Sequence, residues 1–320
     1  MNIMQTTENS TEPHQPHWVG RSAFQIVVFL FLFTEIALAA VLHSGASVWL
    51  AVPLVLLTSH LMHGAEIGFH EATHGLLRRN RSFNEVDGVL LGVFSFMSFS
   101  LYRAAHQLHH MHLATERDEE LWPFVHPETP RWVRILAAFL ELTVGLLFLP
   151  FLFLRIFLRA GSPIRSRKVR RRIWAELVLM IVVWTGIVSG VSYWHVWPYF
   201  LWMYLVPAYL AANLQSWRKY IEHVGMTGST VNSSTRSIVA RGWLGRLVSF
   251  TLLHEPYHGV HHLHAGLPHA ELPGLAAELQ PTIPEELHPF PSYRHALLHL
   301  LRSLADPRVG AQWRTSHLQS

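Results

Sequence analysis

The chain has 320 residues, 50% of them hydrophobic, 12% aromatic and only 14% charged, where an ordinary soluble domain carries about 25% charged residues. This composition excludes a conventional soluble fold and predicts an all-α integral membrane protein, because the apolar residues collect in runs close to the ~20 needed to cross a hydrocarbon core. The formal charge of +4 sits largely in one loop and argues for membrane orientation with no nucleic-acid partner, while the absence of cysteine excludes disulfides, thiolate nucleophiles and iron–sulfur clusters.

Residues 1–22 are polar and lack the basic start of a secretory signal, so a disordered tail is expected there. The runs Phe24–Val41 and Val48–Ile67 are joined by the uncharged HSGAS and predict a tight helical hairpin, whose second helix ends in HEATH at 70–74. Val89–Leu101 is too short for a full crossing and suits an interfacial or re-entrant segment; it leads into YRAAHQLHHMH. Trp132–Leu158 is apolar but holds Glu141, Pro150 and Arg155, which predicts a membrane-surface or re-entrant helix pair. A basic loop, RAGSPIRSRKVRRR, precedes a second hairpin formed by Ile173–Tyr193 and Trp197–Leu214, giving about four spans. By the positive-inside rule the loop is cytoplasmic. The hairpins then return every histidine cluster to that same side. Beyond Glu222 the chain turns polar and proline-punctuated, with an amphipathic helix near Tyr293–Leu304. This predicts a multi-pass membrane domain over 23–280 with a cytoplasmic, histidine-rich cap, and a cytoplasmic C-terminal extension over 281–320.

Three clusters carry the chemistry: HEATH with His70 and His74, HQLHH with His106, His109 and His110, and HGVHH with His258, His261 and His262. Spacings of i, i+3 and i, i+4 put the histidines of each cluster on one helix face. With 24 histidines in the chain, one HxxHH is expected by chance ~0.13 times, so two are not background. HEATH also spells the HExxH of zinc peptidases, with Glu71 as general base. A catalytic zinc takes three protein ligands, however, and would leave both HxxHH clusters without a purpose. Eight or nine imidazoles exceed the capacity of one ion and imply two. Imidazole suits iron, copper, nickel and zinc alike, so ligand chemistry goes no further. Glu71, next to His70, is expected to turn away from the face that bears the histidines.

HxxxH, HxxHH and HxxHH in this order between paired membrane helices resemble the membrane fatty-acid desaturase superfamily of di-iron enzymes. Asp118, the EHVG at 222–225, the TRS at 235–237 and YHGVHHLHAGLPHAELP at 257–273 extend the likeness. The resemblance implies nine ligands, the eight box histidines together with His223 just after the last membrane helix. It further implies two iron ions, O2 as co-substrate, a lipid or acyl-thioester substrate and an external electron donor of ferredoxin, rubredoxin or cytochrome b5 type. The activity it favours is introduction of a C=C bond into an acyl chain; membrane hydroxylation or carotenoid ketolation uses the same centre, and a membrane zinc peptidase is the remote alternative. His258 stands where front-end desaturases carry glutamine, which disfavours that subgroup. Outside the boxes, His60 and His63 are expected as buried polar contacts, and Asn213 as a hydrogen bond between helices or a polar group near the site. His112, His254, His264 and His269 are expected near the boxes but not as ligands.

Overall fold

The hydrocarbon-length runs fold as helices because a backbone in lipid must satisfy its own hydrogen bonds. The computed structural model describes residues 23–45 and 48–315, so the expected polar tail over 1–22 lies outside the described residues. Helices α1 (Ala23–His43) and α2 (Val48–His74) form the first hairpin. Their approach is close at Gly68, where a Cβ would run into the Phe24 ring. Away from this seam the side chains are apolar and outward-facing, as with Phe29 and Ile36, which are 68% and 71% exposed. Such faces suit lipid rather than water.

The short segment after HEATH becomes two helices, α3 (Arg81–Phe94) and α4 (Phe99–His112), bent by 100° at their junction. Asn80 caps α3 by accepting the N–H groups of Ser82 and Phe83 at 2.9 and 3.2 Å. Asn84 then ties α3 to the end of α2, donating to the Ala72 carbonyl at 2.8 Å and accepting from the Leu77 N–H at 3.1 Å. The start of α4 is fixed from the opposite side. Glu176 of α6 (Arg167–Tyr193) accepts the Ser98 hydroxyl at 2.7 Å, the Ser100 hydroxyl at 2.6 Å and the Ser100 N–H at 2.8 Å. The histidines of α2 and α4 are thereby anchored relative to one another by polar contacts outside the histidine clusters.

Helix α5 (Arg131–Leu158) has two helical halves that meet at Val144, whose φ of −128° and ψ of 41° leave the helical region. It is also long and apolar enough to cross a membrane, as are α1, α2 and α6. The break is satisfied by α7 (Val206–His223), entered through Trp197–Phe200 and a π-helical turn at Leu201–Leu205. Asn213 of α7 accepts the Gly145 N–H at 2.8 Å and donates to the Thr143 carbonyl at 3.1 Å, a carbonyl that also receives the Tyr209 hydroxyl at 2.5 Å. Asn213 is therefore a hydrogen bond between helices. Asn213→Leu would strand one donor in an apolar setting, and we expect a loss of about 1–3 kcal/mol of stability, read as a lowered unfolding midpoint in detergent micelles.

The cap comprises α8 (Gly242–Thr251), α9 (His258–Leu263), a 3-10 segment at Leu272–Leu279 and α10 (Tyr293–Leu301), the last being the expected amphipathic helix. Among the described residues there is no strand, only an isolated β-bridge between Ile238 and Phe290. The C-terminal residues pack back on the body: the Val309 N–H and the Trp313 indole both donate to the Phe124 carbonyl, at 3.0 and 2.8 Å. The chain is a helical, multi-pass membrane protein with a folded polar cap.

Candidate metal centre

Helical spacing does what the sequence requires of it: α2 presents His70 and His74, α4 presents His106, His109 and His110, and α9 presents His258, His261 and His262. His223 closes α7. These four segments converge. His70, His74, His106, His110 and His261 form one group in which one ring nitrogen from each lies within 4.8 Å of all the others. His109, His223 and His262 form a second, and His258 joins it through His223 and Glu222. The two groups abut where the His110 and His262 rings stack with centroids 4.4 Å apart. All nine histidines singled out from sequence are brought together.

The nitrogens that face inward are Nε2 atoms. His70 and His106 approach at 2.8 Å, His106 and His110 at 3.0 Å, His110 and His261 at 3.1 Å, His223 and His258 at 2.9 Å, and His258 and His262 at 3.1 Å. Several of the outward Nδ1 atoms meet carboxylates. His106 faces Glu120 at 3.0 Å, His109 faces Asp118 at 2.9 Å, and His258 faces Glu255 at 3.0 Å. Glu255 also lies 3.4 Å from Nδ1 of His70, so one carboxylate touches both groups. A neutral imidazole that gives its Nδ1 proton to a carboxylate has only a lone pair at Nε2. Lone pairs about 3 Å apart repel unless a cation lies among them, and nitrogens about 2 Å from an ion are naturally about 3 Å from each other. The Nε2 atom of His74 is buried with no hydrogen-bond partner. The donor set fits a divalent transition-metal ion in each group.

Electrostatics favour the ligating form at His261 and His262, whereas at His109 burial is outweighed by Asp118 and Glu120, which push it up to about 9, so an ion there must displace its second proton. Burial pushes His261 down to about 4 and, with the neighbouring His258, holds His262 well below the usual imidazole range. Both are therefore neutral near pH 7, the form that ligates. The carboxylates are balanced by Arg218, which donates to both oxygens of Glu222 at 2.7 Å and to Glu255 at 2.9 Å. Arg236, from the TRS stretch, donates to the carbonyls of Ile221 and Val224 at 2.9 and 2.7 Å and so fixes the end of α7 that carries His223.

Glu71 belongs to none of these groups; its carboxylate is buried and lies 3.7 Å from Nδ1 of His269. His60 bonds Thr251 at 2.8 Å and His63 bonds Gln215 at 3.1 Å. His254 and His264 are engaged by Ser249 and Glu278, and His112 joins neither group. Sequence reasoning missed Glu120, Arg218 and Glu255. Glu255 lies three residues before His258, in the turn that precedes α9, where helical periodicity gives no signal.

A cavity of about 650 Å³, its mouth included, opens between α2, α4, α5 and α7. Phe69, Met97, Leu146, Leu149 and Phe153 give it an apolar wall, and Tyr102 and Glu120 bring it to the edge of the centre. Tyr102 stacks on His106 at 5.3 Å between ring centroids and Glu120 holds the same imidazole. An apolar chain lying in this cavity would end beside the histidines.

Compared with known proteins, the chain matches no curated sequence. Residues 47–294, however, match the family model described as fatty acid desaturase, and they include all nine converging histidines. That match spans more than half of the sequence, and the chain belongs to the fatty acid desaturase family.

Proposed function

We propose that the chain is an O2-dependent desaturase that introduces a C=C bond into the acyl chain of a membrane lipid or acyl thioester, with an iron ion in each histidine group. The observation that carries this reading is the convergence of nine inward-facing imidazoles at the end of an apolar cavity in a desaturase-family chain. When bound, a di-iron centre supplies the power to take hydrogen from unactivated carbon. For each double bond, two neighbouring CH2 groups give up one hydrogen each, O2 takes these with two electrons and two protons, and two waters leave. The electrons come from an external donor of ferredoxin, rubredoxin or cytochrome b5 type.

The protein's own residues do the positioning. Asp118, Glu120 and Glu255 hold the Nδ1 protons of His109, His106 and His258, which keeps each Nε2 free and fixes each ring plane. Phe69, Leu149 and Phe153 wall the cavity against water. The basic stretch before and at the start of α6 pairs Arg159 with Glu119 and Arg172 with Glu85, on the same side as the histidines, and its positive charge supports a cytoplasmic centre under the positive-inside rule.

Lipid mass spectrometry of cells expressing the wild type beside cells expressing His261→Ala tests the reading. We expect new lipids lighter by two hydrogens in the wild type alone. New lipids that carry an added oxygen would move the chain to hydroxylation or ketolation on the same centre. No difference between the two cultures would sink both.

A further inference from the structure

The cavity beside the centre contains a group that its apolar walls do not explain. Its charged residues are mostly committed elsewhere: Arg218 to Glu222 and Glu255, Lys219 to an ion pair with Glu141, and Glu120 to His106. Glu66 is not. It lines the cavity from α2, its Oε2 is buried without a hydrogen-bond partner, and among the described residues no hydrogen bond or ion pair reaches it, the Arg218 charge acting on it only from beyond contact distance. Tyr102 lines the same cavity, and its hydroxyl likewise has no hydrogen bond among the described residues. A plain hydrocarbon chain seated there would bury a carboxyl group against methylenes, an arrangement that costs several kcal/mol and is rarely kept in a membrane protein without a use.

We propose that the substrate of this desaturase is an apolar chain that bears a hydroxyl group, and that Glu66 receives that hydroxyl inside the cavity. This rests on the acyl-chain desaturase reading and narrows it. A hydroxyl both donates and accepts, so it satisfies Glu66 whichever protonation state the carboxyl holds. An ammonium on the chain is opposed by Arg218 and Lys219 on the same wall. Glu66 sits four residues before His70 on α2, about 6 Å along the helix. The hydroxyl is therefore held close to the carbons that react, and Glu66 sets which carbons those are.

The experiment uses the purified, metal-loaded protein in detergent micelles and measures dissociation constants for stearic acid and for a series of hydroxystearic acids with the hydroxyl on successive carbons. A buried hydrogen bond to a carboxyl group predicts that at least one hydroxylated isomer binds about tenfold or more tighter than stearic acid. Glu66→Leu should erase or invert that preference with metal content unchanged, and Glu66→Gln should keep most of it. Should the leucine variant fail to fold, the wild-type ratio and the glutamine variant still decide. A wild type that binds stearic acid as well as every isomer overturns the proposal while the desaturase reading stands. If the protein holds its two metal ions and binds none of these chains, the acyl-chain reading falls with it.

Discussion

Alanine at His261 is expected to lower turnover by at least about 100-fold and to remove metal from the group it belongs to, whereas Glu71→Gln is expected to keep the metal and much of the activity. Loss of a group that merely orients a ligand already costs about 10–100-fold in metal affinity or activity, and His261 is placed to ligate directly. Its Nε2 lies 3.1 Å from that of His110, and its ring packs 4.7 Å from His70. Glu71 lies beside His269 and outside both groups. Metal content by elemental analysis and turnover by lipid mass spectrometry read the two variants together. An inactive Glu71→Gln beside an intact His261→Ala would reverse the assignment and restore the HExxH hydrolase.

The second large effect is structural. Arg218→Met should destabilise the protein by about 3–5 kcal/mol, the usual consequence of removing one partner from a buried ionic group. Glu222 and Glu255 share this one guanidinium and are 3% and 1% exposed. Without it two carboxylates face each other in the interior. Adding Glu222→Gln to Arg218→Met removes one of those charges and should recover part of the loss. Denaturant titration in micelles follows all three proteins, and a single variant within about 1 kcal/mol of wild type would show that the cluster does not depend on Arg218.

The histidines and most of the helices were legible because helical spacing alone puts i, i+3 and i, i+4 imidazoles on one face, and because lipid demands long apolar helices. The residues that support the histidines were less visible. Asp118 stood out in its acidic stretch, but Glu255 acquires its meaning only when α9 folds against α2 and sets the same carboxylate beside both His258 and His70. Arg218 has one carboxylate, Glu222, four positions on, but the other, Glu255, lies 37 positions away. Glu141, Pro150 and Arg155 point to a membrane-surface or re-entrant helix pair over Trp132–Leu158, yet the helix is long and apolar enough to cross and its break falls at Val144. The polar group that satisfies it, Asn213, belongs to another helix. No local pattern encodes such a partnership.

Both histidine groups draw on α9, the first through His261 and the second through His258 and His262. Since α9 follows every apolar helix in chain order, neither group is complete on a nascent chain whose hydrophobic helices are still leaving the ribosome. On the proposed di-iron reading, metal capture is thus a late event in biogenesis, postponed until the membrane portion has been synthesised and the cap has folded back onto it. A ribosome stalled before His258 would expose a membrane-inserted chain that holds neither ion in its finished site.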